Sequence, residues 1–148
     1  MSTAVGIDRD GLAYTAAALG MARHVLWWSA VMGALAIGWL AGAPPRAEWA
    51  VYAVAASIAV QGSALFCGVR AVYDAAVFGW WANQPSPGAA IERFDRWLAE
   101  HGRVAARPRS VADRTLAALR WLRLGAAWSA AGTLVLIATA VATALQAL

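Results

Sequence analysis

Lysine is missing from this 148-residue chain. Its twelve basic residues are all arginine; with eight acidic residues they leave a formal net charge of +4. Charge of either sign is scarce, at 14% of residues against about 25% in an average soluble domain. Cysteine is nearly absent as well. One thiol, Cys67, makes no intrachain disulfide and no cysteine-rich metal site, and it reads as a small packing residue near a helix end. There are two histidines, His24 and His101, and no HExxH, P-loop or GxGxxG pattern. No Ser/His/Asp or Cys/His constellation is legible, so the chain reads as non-enzymatic, with no catalytic residue, no metal and no cofactor. Abundant alanine beside arginine-only basicity points to a GC-rich bacterial genome, not to an arginine-specific mechanism.

Hydrocarbon takes the place of charge. Hydrophobic residues make up 61% of the chain and the mean hydropathy is +0.56. Three stretches hold no charge at all: 25–45, 49–69 and 124–148. Each is long enough to cross a bilayer core of about 30 Å at 1.5 Å per helical residue. The first follows a leader carrying Asp8, Arg9, Asp10 and Arg23, and it ends at Pro44-Pro45. It is therefore expected to be an anchor and not a cleaved signal peptide.

The expected fold is an all-α integral membrane protein: three transmembrane helices extended as long rods, with a short amphipathic helix completing a small four-helix cytoplasmic bundle. Residues 1–148 form one membrane domain. A leader helix covers 10–24 and the first span 25–43. The second span, 47–69, continues as a cytoplasmic helix to 82, because nothing breaks it before Asn83-Gln84-Pro85-Ser86-Pro87. An amphipathic helix covers 87–101 and a basic linker 102–109. A helix over 110–123 enters the third span, 124–147.

Local signals set the expected helix ends. Asp10 is the expected N-cap of the leader, with Leu12, Ala16, Leu19 and Ala22 or Arg23 along one stripe. Ser86 caps the amphipathic helix, Pro87 takes its first turn and Gly102 ends it. Its apolar face carries Ile91, Phe94, Trp97 and Leu98. Ser110 and Asp113 form a capping box with Asp in place of Glu. The helix after it presents Ala112, Leu116, Leu119 and Leu122 on one side.

Basic residues set the expected orientation. The turn after the first span holds only Arg46, whereas 83–123 holds eight arginines and a net charge of +4 from residues countable in the sequence. The expected location is a bacterial inner membrane, with the N-terminus and the long connection cytoplasmic and the C-terminus outside. Anionic headgroups are the expected partner of the basic segment, with no nucleic acid. Placing Arg70 mid-bilayer would cost about 2.5–3.5 kcal/mol, so it belongs at the cytoplasmic interface. Asp74 lies one turn further along the same helix, at i,i+4, and can bridge to Arg70; Arg120, at the same expected depth on the third rod, and Arg23 are its competing partners.

Inside the spans, the polar candidates are Ser57 and Gln61, together with Ser129, Thr133 and Thr143. Gly38-x-x-x-Gly42 and Ala64-x-x-x-Gly68 are close-packing motifs. Tryptophans at 27, 28, 49, 121 and 128 fall near the expected boundaries, as an aromatic belt would. Three functional expectations follow. The first is a non-catalytic accessory subunit or self-associating scaffold, joined to other membrane subunits or to copies of itself. The second is a homo-oligomeric pore with Ser57 and Gln61 facing the path. The third is a haem or quinone anchor using His24.

Overall fold

The structure, a computed structural model, describes residues 8–102 and 110–146, and within them every regular element is an α-helix. Most of the basic linker, with Arg103, Arg107 and Arg109, lies outside the described residues. The helices are α1 (Arg9–Gly20), α2 (Ala22–Gly42), α3 (Glu48–Ala82), α4 (Pro87–Glu100) and α5 (Val111–Leu145). Three helical stretches, Arg9–Gly42, Glu48–Ala82 and Val111–Leu145, are long and apolar enough to cross a membrane.

Helices α1 and α2 make one rod with a tightened turn at Met21. The Met21 N–H reaches the Ala18 carbonyl at 3.2 Å, and its own carbonyl accepts from His24 N–H at 3.0 Å. The break thus falls before Arg23 and His24, several residues earlier than a leader running to 24. Asp8, not Asp10, is the N-cap: its carboxylate accepts from the Asp10 N–H at 3.0 Å. Asp10 instead lies in the first turn, where its charge complements the helix dipole. Pro44 and Pro45 stop α2, since proline has no N–H to donate and restricts the residue before it.

Helices α3 and α5 each run 35 residues without a break, roughly 50 Å by helical rise. The Ser110 hydroxyl accepts from Asp113 N–H at 3.1 Å and donates to the Asp113 carboxylate at 2.8 Å, a reciprocal cap at the start of α5. Ser86 occupies the N-cap position of α4, but its side chain makes no capping bond. Gly102, at φ 70°, lets the chain leave α4 through the left-handed region.

One side of each rod is buried in steps of three and four residues. On α3 these positions are Ala50, Val54, Ser57, Gln61, Ala64, Gly68 and Ala71. On α5 they are Gly125, Ser129, Gly132, Leu136 and Thr139. On α2, Ala22, Ser29 and Ala36 recur one heptad apart. A period of 3.5 keeps one seam facing its neighbours along the whole rod, as in left-handed supercoils. The seam residues are small, which lets the backbones approach closely. Below the seam the buried residues are larger. Leu12 and Leu19 of α1, Phe78 and Trp81 of α3, Ile91 of α4 and Ala118 of α5 belong to one hydrophobic cluster.

Two expected faces differ from those observed. Leu119 and Leu122 pack against the cluster as expected, but Leu116 is 67% exposed and Ala112 is exposed, because α5 also turns Ala118 and the half-buried Val111 and Trp121 inward. Gly38 and Gly42 lie on the outer side of α2, and a Cβ added to either would meet nothing within 4 Å. Gly68 does sit in a contact: an added Cβ would lie 2.8 Å from Leu26 Cδ2.

Close approach at the α3–α5 seam makes a graded prediction. An added Cβ at Gly132 would lie 2.8 Å from Gln61 Nε2, and one at Gly125 would lie 3.1 Å from Cys67 Cβ. Gly132→Ala should destabilise the chain by about 1–3 kcal/mol through overpacking. Gly38→Ala and Gly42→Ala should be neutral or gain up to about 1 kcal/mol in helix propensity. Reversible unfolding in mixed micelles measures the difference; equal effects at all three positions would contradict this arrangement of the rods.

Candidate functional site

Polar side chains from all three rods meet at mid-height. Ser29 of α2 donates to the Ser129 hydroxyl of α5 at 2.9 Å. Ser57 of α3 donates to the Gly132 carbonyl at 2.8 Å. The Gln61 amide nitrogen lies 3.3 Å from both the Ser129 carbonyl and the Thr133 hydroxyl. Thr133 in turn donates back to the Ser129 carbonyl at 2.8 Å and accepts from the Trp28 indole at 2.9 Å. One hydroxyl thus serves α2, α3 and α5 together, using its single proton and both lone pairs. Gln61 is 1% exposed, and its Oε1 has no partner among the described residues. Turning the amide over would set that oxygen against the Ser129 carbonyl, so the observed orientation is the favoured one.

Ser57 and Gln61 therefore spend their donors inside the chain, at the α3–α5 seam. The sequence suggested Ser129 and Thr133 as a polar row but did not join them to α2. Ser29 and Trp28 are the residues it missed. The available signal was spacing: Ser29 stands one heptad from Ala22 and Ala36 on a stripe of small residues.

A second feature lies below the seam. A groove of about 710 Å³ runs between α3, α4 and the first half of α5, walled by aromatic and aliphatic side chains with Arg70, Asp74 and Arg114 among them. Phe94 meets the Trp81 ring edge-on, with centroids 5.5 Å apart, and Phe78, one turn away on the same face of α3, meets it at 5.2 Å. Of the expected α4 face, Ile91 is buried, Phe94 and Leu98 are half-buried, and Trp97 is 49% exposed at the groove's edge. Trp97 also stacks near His101, 4.5 Å between centroids.

Of the partners expected for Asp74, the structure shows the i,i+4 one and not Arg120 or Arg23. Asp74 faces Arg70, one turn away on its own helix, at 3.4 Å. Arg120 and Arg23 are exposed, and Arg70 is the partner of Asp74 among the described residues. Equal depth on two rods does not bring side chains together when their faces point in different directions. A tighter pair joins Arg114 of α5 to Asp95 of α4, with both carboxylate oxygens within 2.7–2.8 Å of one guanidinium nitrogen. The Arg114 guanidinium also lies over the Trp81 ring, 5.7 Å from its centroid. This contact anchors α4, which otherwise touches the rods through few residues.

His24 is exposed near the start of α2, and no cluster of three or more His, Cys, Asp or Glu side chains gathers among the described residues. Compared with known proteins, the chain matches no family model, no curated protein and no solved structure.

The surroundings of Asp74 predict a pH dependence. Burial pushes its carboxyl above the ordinary value, and the Arg70 guanidinium pulls it back only in part. The folded state then holds this proton more tightly than the unfolded state. Its contribution to stability is present at low pH and is lost as pH rises from the ordinary carboxyl value, about 3.9, through the raised folded one. Asp74→Asn keeps a polar partner for Arg70 without the charge. It should be at least as stable as the parent at pH 7, with the advantage shrinking as pH falls through the raised folded value and gone below about 3.9. A variant less stable than the parent at pH 7 would mean that the Arg70 contact outweighs the desolvation.

Proposed function

We propose that this chain is a small bacterial inner-membrane protein working as a non-catalytic accessory subunit or self-associating scaffold of a larger membrane assembly. In this reading α2 and the upper parts of α3 and α5 span the bilayer. The N-terminus and α4 are cytoplasmic, the turn around Pro44-Pro45 is outside, and the C-terminus is outside. Helices α1 and α4 pack on the lower parts of α3 and α5 as a cytoplasmic bundle around Trp81.

The observation that carries the proposal is the disposition of polar and apolar surface. The polar groups of Ser29, Ser57, Gln61, Ser129 and Thr133 are turned inward and largely consumed by one another. The outer faces are nearly pure hydrocarbon. Only 17%, 33% and 28% of the most apolar window in the three long helical stretches is buried within the chain. Rods so thinly covered need lipid or lateral partners around them, and an inward-turned polar set offers no lining to an axis between chains. The outward Gly38 and Gly42 add a face on which another helix could approach closely.

Orientation is tested with single cysteines in a Cys67→Ala background. A cysteine at Ala47 should react with an impermeant maleimide on intact cells, and one at Ala89 should react only after lysis. Assembly is tested by native mass spectrometry from nanodiscs with an absorption spectrum of the same sample. The proposal expects complexes with unlike membrane subunits, or compact homo-oligomers without conductance. A ring of identical chains whose conductance is lost in Gln61→Leu would establish a pore in its place. A Soret band lost in His24→Ala would establish a haem anchor.

A further inference from the structure

The groove between α3, α4 and α5 has the composition of a ligand site. Its volume of about 710 Å³ falls inside the usual range of about 300–1,000 Å³, and its walls are mostly apolar with a few placed polar groups. Its two ends differ. At one end stand Phe66 and Val69, 66% and 60% exposed, from the charge-free stretch of α3. At the other stand Phe94 and Leu98 of α4. Arg70 lies between, with its side chain 49% exposed, while that of Asp74 is turned inward at 15%. The pair distance of 3.4 Å is long for a charge-assisted hydrogen bond, which leaves the guanidinium donors open on their outer side. Deeper in, Arg114 is already engaged by Asp95. The charge offered at the mouth is therefore that of Arg70, a cation in front of an inward carboxylate.

We propose that this groove holds one anionic phospholipid of the inner leaflet. The phosphate lies on Arg70, and one acyl chain runs down the groove over Val77, Phe78, Phe94 and Leu98. This assignment rests on the proposed placement of Arg70 at the cytoplasmic headgroup level. An ordinary boundary lipid keeps all its hydrocarbon above that level. Here the apolar wall continues past it: Val77 and Trp81 stand roughly 10 and 16 Å below Arg70 by helical rise. Left hydrated, that wall is unfavourable by about 25 cal/mol per Å² of apolar surface. A chain from the adjoining leaflet can enter sideways at Phe66 and Val69 without first crossing water, which a soluble partner cannot do. A basic pocket between helices on the cytoplasmic side is also a recognised form of anionic-headgroup site.

The test uses the full-length protein in phosphatidylcholine nanodiscs containing a trace of phosphatidylglycerol with a diazirine at the end of one acyl chain. After illumination, the cross-linked residues are mapped by mass spectrometry. Cross-links should appear at 77–81 and 94–98 as well as on the spans. Unlabelled phosphatidylglycerol should compete for the groove sites far better than added phosphatidylcholine. Arg70→Gln, which removes the phosphate contact, should reduce the groove cross-links about tenfold. Ala117→Trp, which fills the groove from α5, should do the same while leaving cross-links to the spans unchanged. Helix content and elution volume of both variants should match the parent. Cross-links confined to the spans would show an inserted protein whose groove holds no lipid, overturning the site alone. Groove cross-links indifferent to headgroup and to Arg70→Gln would show an unselective chain and would also overturn it. Loss of cross-links from the spans would overturn the membrane placement along with the site.

Discussion

In the bilayer placement proposed for the rods, a helix has no hydrophobic reason to touch its neighbour, and a hydroxyl or amide without a partner is costly. The hydrogen bonds that Ser29, Ser57, Gln61, Ser129 and Thr133 make across the three rods answer both conditions. Each such bond contributes modestly, on the order of 0.6 kcal/mol in membrane proteins. Their value lies in direction: a slip of one residue along any rod would leave donors facing methyl groups. Glycine at 125 and 132 brings the backbones near enough for these short side chains to reach. Everything below the seam inherits its register from these contacts.

The same helices change chemistry along their length without changing phase. On α3 the inward stripe passes from Ser57 and Gln61, through Ala64, Gly68 and Ala71, to Phe78 and Trp81. Small and polar residues serve where close approach and hydrogen bonding hold helices together. Aromatic residues serve in the lower part, where, in the proposed placement, burying large apolar area against water does so. The helix α4 is joined on this lower part, through the Arg114–Asp95 pair and the Trp81–Phe94 contact. The groove exists because α4 stands off from α3 and α5 along part of its length.

Much of the helical layout was readable in the chain. The charge-free runs, Pro44-Pro45, the Asn83–Pro87 stop and the Ser110–Asp113 box mark ends that lie within a few residues of those observed. Faces were harder. Hydropathy cannot choose the inward side of a helix whose every side is apolar, so Gly38 and Gly42 looked like contacts and Ser29 passed unnoticed. On the lower part of α5 Leu119 and Leu122 do pack inward, but Leu116 drew the expected face away from Ala118. Capping followed geometry more than residue type: Asp8 caps α1 where Asp10 was expected, and Ser86 holds the position without the bond. The i,i+4 spacing found the Arg70–Asp74 pair, whereas Arg120 was offered to Asp74 by depth alone, and a pair also needs a shared azimuth. The Arg114–Asp95 contact depends on where α4 docks, which no local pattern encodes.

The unbroken course of α3 from Glu48 to Ala82 makes it a single torsion shaft. Each residue added to a helix turns everything beyond it by about 100° and lifts it by 1.5 Å. With no hinge between Gln61 and Trp81, the two stations cannot be re-aimed separately, and a twist imposed at one end arrives at the other. The spacing between them is therefore a fixed gear ratio. An evolving chain could lengthen the loop at Ala43–Ala47 freely, but it could alter this shaft only in steps near seven residues.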